Sequence, residues 1–269
     1  MSGATITSSI DADREGVGLR AARHLERVFR TLTAGRGGEL EDEYFRWVTR
    51  EPHPLGNVVI QSSPSDGASV RAAIEPLLSD NLPSAVLFPA GASTAATESL
   101  IGAGFADAGG LPAMAVDIEH LPPTELPSGY AFTRVGADRR GHDWAEALAT
   151  GYGLPVGLAR RLSPVEVGAD MADDARAQFF AIVREDRIVG TSMLFLDDGL
   201  AGVYSVTTLA EERGKGIGGH ATAEALRVAQ ALGYRVGVLQ SSQLGHPVYL
   251  GLGFTDVSKV PMFMRMRAA

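Results

Sequence analysis

A chain of 269 residues, 45% of them hydrophobic, is long enough to bury one or two substantial cores. Its formal charge of −8 argues against nonspecific nucleic-acid binding, which needs a basic surface, and leans toward a cationic or amine-bearing partner. The absence of cysteine excludes disulfides, thiolate metal sites and a cysteine nucleophile.

The segment Met1–Thr7 has no basic stretch followed by an apolar run, and no apolar stretch reaches the roughly 20 residues of a membrane span. The chain is therefore expected to be cytoplasmic, with no membrane partner. In chain order the first clear break is Asp117–Gly129, which carries Pro122-Pro123 and Pro127-Ser128-Gly129 and reads as a linker. It sets expected domains at 1–120 and 130–269, with 121–129 between them. Tyr130–Val135 follows as a strand, and helical stretches are expected around Asp143–Gly151 and Gly157–Leu162. Gln178–Val183, Arg187–Leu196 and Ala201–Val206 read as strands separated by turns at Arg184-Glu185-Asp186 and Asp197-Asp198-Gly199.

Arg213-Gly214-Lys215-Gly216-Ile217-Gly218 comes next and opens an amphipathic helix that closes at Gly233. A glycine-rich strand-to-helix turn presents backbone N–H groups at the positive end of a helix dipole, which suits a pyrophosphate. Glycines let ligand oxygens approach the backbone, while Arg213 and Lys215 add formal charge. The pattern Arg-x-x-Gly-x-Gly is neither the dinucleotide fingerprint nor a Walker loop. Ile217, Ala221, Ala225, Val228, Ala229 and Leu232 fall on one face of the helix. Arg235–Leu239 is a further strand, followed by a proline-containing turn, a short helix, Gly253-Phe254 and a last strand over Val260–Met266.

The N-terminal half reads as a worn copy of this plan. Gly102-Ala103-Gly104-Phe105-Ala106-Asp107 matches Gly251-Leu252-Gly253-Phe254-Thr255-Asp256, and the same offset of 149 carries Pro112 onto Pro261. It also lays Ser69–Leu78 over the helix after the glycine loop and Pro83–Ala90 over the strand near Arg235–Leu239. The basic loop is not copied: Ser63-Pro64-Ser65-Asp66-Gly67-Ala68 holds no Arg or Lys to meet a phosphate. Anion binding is therefore expected in the C-terminal half alone.

Three blocks between Ala177 and Phe254 resemble the GNAT superfamily of acyl-CoA-dependent N-acyltransferases. They are the strands leading into Arg213-x-x-Gly216-x-Gly218, the run Leu239-Gln240-Ser241-Ser242 then Gly245-x-Pro247-Val248-Tyr249, and Tyr249-x-x-x-Gly253-Phe254. The resemblance implies tandem GNAT-like domains of mixed α/β architecture, each a mostly antiparallel sheet flanked by helices, with a degenerate N-terminal copy. It implies acetyl-CoA as co-substrate and transfer of acetyl to a primary amine, on a small-molecule acceptor. Val206, Thr207 and Thr208 are implied to bond the pantetheine arm through their main chain, the amides of Arg213 to Gly218 to hold the pyrophosphate, and Ser242 to contact the cofactor with a shorter reach than the family's usual asparagine. Tyr249 matches the general acid that protonates the departing thiolate; the alternative is a Tyr that only packs and bonds the cofactor sulfur.

The base stays unassigned. Glu211 and Glu212 read as a solvated loop, His142 and Asp143 as surface, and His220 as facing solvent or the phosphates. Tyr204 and Ser205 lie on the strand facing the amine, and His246 precedes Tyr249. Met262-Phe263-Met264 read as core filler, Trp47 and Trp144 as structural, and the Arg139-Arg140 and Arg160-Arg161 pairs as solvated. No cluster has metal-ligand spacing, so no metal is expected. A catalytically silent acyl-CoA sensor, transfer of a longer acyl group and a non-amine acceptor stay open, as does the choice between monomer and homodimer.

Overall fold

Val17, Ala21, Leu25, Val28 and Leu32 recur every three or four residues, laying one apolar stripe along a helix. In the computed structural model of the chain, which describes residues 10, 13–62 and 66–266, they form α1 (Arg14–Thr33) and all five are buried. Asp13 caps this helix, its carboxylate accepting from the Gly16 amide. The helix is absent from the sequence expectations. Met1–Thr7 and the 63–65 part of the Ser63–Ala68 loop lie outside the described residues.

The N-terminal half continues with β1 (Gly38–Leu40), β2 (Tyr44–Val48), β3 (Asn57–Gln61), α2 (Gly67–Ser79), β4 (Ser84–Leu87), α3 (Thr94–Gly102), β5 (Ala106–Asp107) and β6 (Leu111–Asp117). Then come β7 (Tyr130–Val135), α4 (Arg139–Tyr152), α5 (Val156–Arg161), α6 (Pro164–Val167), β8 (Ala177–Arg184), β9 (Arg187–Asp197), β10 (Leu200–Thr208), α7 (Ile217–Ala231), β11 (Val236–Gln240), α8 (His246–Gly251), β12 (Thr255–Val260) and β13 (Met262–Arg265). They build two mixed sheets flanked by helices, in the orders β1-β2-β3-β4-β13-β5 and β12-β6-β11-β10-β9-β8-β7. The pairs β3/β4 and β10/β11 are parallel and the other pairs antiparallel. The expected fold class is the observed one.

The sheets exchange strands. β6, from the N-terminal half, sits between β11 and β12, with Ala113 opposite Gln240 and Asp117 opposite Val236. β13, the end of the chain, sits between β4 and β5, with Met262 opposite Leu87 and Phe263 opposite Asp107. The chemistry fits both insertions. Met114 and Val116 join Leu239 and Phe254 in the C-terminal core, and Phe263 meets Phe88 edge-on at 5.9 Å in the N-terminal one. Each fully buried side chain of this size contributes about 1.5–3 kcal/mol. The expected division at 121–129 is thus a division of the chain that the sheets do not follow. The two strands that cross over, β6 and β13, correspond to each other at the offset of 149.

α1 belongs by sequence to the N-terminal half but lies across the other half's sheet. Arg14 donates to the Asp256 carbonyl on β12, Gly18 fits against Val257, and Arg27 pairs with Asp197 at 2.9 Å. Further along, Ala22 and Leu25 share a core with Phe45, Trp47, Val58 and Ile60 of the six-stranded sheet. Trp47 and Trp144 are fully buried, and Trp144 Nε1 donates to the Phe180 carbonyl at 2.9 Å. The proline-rich segment packs on α7, where Arg227 donates to the Pro122 carbonyl at 2.9 Å. Among the described residues no helix is long and apolar enough to cross a membrane.

Candidate active site

β10 is the strand on which the site is built. Its parallel ladder to β11 covers only Leu200, Ala201 and Gly202, opposite Val236, Gly237 and Val238. Beyond Gly202 the two strands part, and the main chain of Val203–Thr208 has no ladder partner on that side. A strand edge of this kind needs hydrogen-bond partners from elsewhere. On its other side β10 pairs with β9, broken by a bulge between Tyr204 and Thr207. Ser205, in the bulge, has φ 51°, left-handed for a residue with a side chain, and its carbonyl accepts from the Thr191 hydroxyl at 2.6 Å.

The glycine loop closes the same end. Gly214 and Gly216 have φ 77° and 76°, conformations that favour glycine, and nothing lies within 4 Å of where a Cβ would stand on either. Gly216 caps α7 without any side chain, and the first helical bond is His220 N–H to the Gly216 carbonyl at 2.9 Å. The amides of Ile217, Gly218 and Gly219 therefore lack helical acceptors and face outward at the positive end of the dipole. A Cβ on Gly218 would lie 3.5 Å from Thr208 Oγ1 and 3.9 Å from Val206 Cγ1, so the end of β10 and the loop converge. Thr207 is buried against Gly151 at the end of α4. Its main chain alone is available there.

The two basic side chains are already engaged. Arg213 donates to the carbonyls of Thr208 at 3.2 Å and Gly151 at 3.3 Å, bridging β10 to α4. Lys215 donates to Glu212 at 2.6 Å and to the Tyr130 hydroxyl at 3.1 Å. The expected solvated loop at Glu211-Glu212 is corrected here for Glu212. It is buried, and it also accepts from the Tyr130 hydroxyl at 2.6 Å and pairs with Arg184 at 3.2 Å. The Lys215 hydrogen bond, then that of Tyr130, holds its carboxyl down at about 2. An ionised, fully satisfied carboxylate anchors the loop and is a poor proton acceptor. Glu211 pairs with Arg187 at the surface.

α8 carries Tyr249. Its ring packs against Phe254 at 5.8 Å and close to Gly245, where a Cβ would come within 2.9 Å. Burial pushes its phenol above the ordinary value, and the neighbouring Tyr152 phenol at the end of α4 adds to this. Tyr249 is therefore a protonated donor at neutral pH. Ser242 is exposed and accepts from the Gly245 amide at 3.1 Å, fixing the turn before α8. His246 Nε2 lies 3.0 Å from Asp256 Oδ1. His220 is half-buried, with Nδ1 at 3.1 Å from the Thr124 hydroxyl, and burial lowers its pKa. His142 is exposed, and Asp143 pairs with Arg139.

The N-terminal counterpart lacks these features. β3 ends at Gln61, one residue past its last pair with β4, so no long unpaired edge follows, and the Asp66 carboxylate occupies the N-terminus of α2, accepting from Ala68 at 3.0 Å and Ser69 at 2.9 Å. A carboxylate seated there competes with any incoming anion.

Residues 146–254 match the family model described as acetyltransferase (GNAT) family. Residues 146–254 form a GNAT acetyltransferase domain. The tandem fold agrees with solved structures. A GCN5-related N-acetyltransferase from Kribbella flavida superposes with TM-score 0.65 at 18% identity, covering 91% of this chain and 95% of that one. One from Sphaerobacter thermophilus gives TM-score 0.63 at 18% identity, with 96% and 94% covered. A tandem GNAT protein from the clavulanic acid biosynthesis pathway gives TM-score 0.56 at 13% identity, with 98% of each chain covered. Comparison with curated proteins found no match. Sequence reasoning missed the buried Glu212 anchor and the approach of Tyr152 to Tyr249.

Proposed function

We propose that the C-terminal GNAT domain transfers an acetyl group from acetyl-CoA to a primary amine on a small acceptor by direct attack. The observation that carries this reading is the end of the β10–β11 ladder at Gly202 and Val238. It leaves an unpaired strand edge that runs into an uncapped helix N-terminus. The pantetheine arm would bond the main chain of Val206–Thr208, and the diphosphate would take the open amides around Gly216–Gly218. Acetyl-CoA supplies the activated thioester. The neutral amine attacks its carbonyl, and the developing oxyanion is met by a main-chain N–H at the Ser205–Val206 bulge. Tyr249 then gives its proton to the departing thiolate. An amine of pKa near 10.4 is mostly protonated at neutral pH, so it must lose a proton before attack.

Asp66 on α2 and the short β3, which leaves no long unpaired edge beside β4, support one acetyl-CoA per chain. Isothermal titration with acetyl-CoA tests this directly: one site per chain is expected. A thiol-release assay across a panel of small primary amines identifies the acceptor class. Absence of acetyl-CoA binding would end the proposal.

A further inference from the structure

Two side-chain hydrogen bonds tie α1 across the gap. Gln240, at the end of β11, donates from Nε2 to the Ala21 carbonyl at 2.7 Å. Tyr204, on β10, bonds through its hydroxyl to His24 Nδ1 at 2.8 Å. Gly202 is opposite Val238, so Tyr204 and Gln240 stand two residues further along, on one face, where the strands separate. One turn of α1, Ala21 to His24, spans both.

His24 is built into this place. It is fully buried, stacked on the Tyr204 ring (5.9 Å, 4°) and edge-on to Phe195 at 5.4 Å. Residue 202 must be small, because a Cβ there would lie 2.5 Å from both His24 Cε1 and the Tyr204 ring. Burial lowers the His24 pKa to about 4 and raises that of the Tyr204 phenol. At neutral pH an uncharged imidazole therefore meets a protonated phenol, and a single proton is shared between the hydroxyl and Nδ1 in this bond.

Tyr204 is the last β10 residue in register before the bulge. It is opposite Met193, and pairing resumes only at Thr207 with Thr191. The strained Ser205 lies between, clamped on the β9 side by the Thr191 hydroxyl. The His24–Tyr204 bond clamps the residue before it from the α1 side.

We propose that His24, carried by the N-terminal half, is a positioning residue for acyl transfer: through the Tyr204 hydroxyl it fixes the Ser205–Val206 bulge that presents a main-chain N–H to the thioester carbonyl. This rests on the reading that acetyl-CoA occupies the β10–β11 gap. It makes the N-terminal half part of the reaction site.

The full-length protein and its His24→Leu, His24→Gln and Tyr204→Phe variants are titrated with acetyl-CoA labelled with ¹³C at the thioester carbonyl. The bound carbonyl stretch is read by difference infrared spectroscopy, and thiol release is followed well below each variant's thermal transition. In the wild type the band lies at lower frequency than in free acetyl-CoA. In Tyr204→Phe and His24→Leu it moves back toward the free value while affinity holds. Thiol release then falls about tenfold, short of the roughly 10²–10³-fold loss on deleting such a donor outright. His24→Gln, whose amide oxygen can accept the same hydroxyl, keeps the wild-type band. If the wild type binds no acetyl-CoA, the reading of the gap fails and this proposal falls with it. If the wild type binds and the band is the same in every variant, this proposal alone is overturned. Tyr204→Phe, which removes one oxygen, keeps the test available should His24→Leu not fold.

Discussion

Gly216→Glu separates stability from binding at the glycine loop. The residue has φ 76°, and no atom lies within 4 Å of where its Cβ would stand. A side chain there therefore meets no collision and carries only the left-handed backbone strain, about 1–2 kcal/mol. The new carboxylate sits at a helix N-terminus, which offsets roughly 0.3–1 kcal/mol of that. A thermal transition lowered by no more than a few degrees is expected, since about 1 kcal/mol shifts a chain of this size by roughly 2–4 °C. Binding responds differently, because the carboxylate takes the amides that the diphosphate needs and repels it. Losing two charge-assisted hydrogen bonds at about 1.5–3 kcal/mol each weakens acetyl-CoA binding by roughly 10²- to 10⁴-fold. Gly216→Ala carries the same strain without the charge and keeps most of the affinity. Titration calorimetry and thermal unfolding on all three proteins decide the matter. Equal affinity in Gly216→Glu and wild type, or an affinity loss in Gly216→Ala as large as in Gly216→Glu, would show that the loop does not hold the diphosphate.

Three further outcomes are expected. Deleting residues 1–119 removes β6 from between β11 and β12, so the remaining chain gives no cooperative unfolding transition; a folded, acetyl-CoA-binding fragment would contradict the strand exchange. Tyr249→Phe lowers turnover by about 10²–10⁴-fold at unchanged acetyl-CoA affinity, and equal turnover would leave Tyr249 a packing residue. His24, lowered by burial from 6.5 to about 4, favours the folded state above its ordinary value. Its contribution is complete at pH 7, is lost as pH falls from 6.5 toward 4, and amounts to about 3 kcal/mol. Denaturant titrations across that window lose this slope in His24→Leu, whereas Glu212, held down from 4.5 to about 2, contributes in full above pH 4.5 and loses its contribution only as pH falls below that value.

The candidate site's local geometry was legible where its residues are contiguous. Arg213–Gly218 is one local turn whose glycines and helix start are written in six consecutive letters, and Tyr249 through Phe254 is a second local block. Strand ownership was not legible. β6 and β13 come from the repeated segments and are both apolar, so pattern alone does not say which sheet each one enters. The stripe of α1 is readable at helical spacing, yet nothing local says that it crosses the other half's sheet. Two adjacent acids read as a solvated loop; Glu212 is buried because Tyr130, 82 positions away, and Arg184 close over it. His24 meets Tyr204 across 180 positions, a contact that only the folded pair of halves creates.

The strongest test is the structure of the protein bound to acetyl-CoA. The diphosphate is expected within hydrogen-bond distance of the Gly216–Gly218 amides, with the pantetheine arm between β10 and β11 and the thioester carbonyl at the Ser205–Val206 bulge. A ligand seated elsewhere, or strands β10 and β11 drawn together with the loop empty, would show that this gap is not an acyl-CoA site.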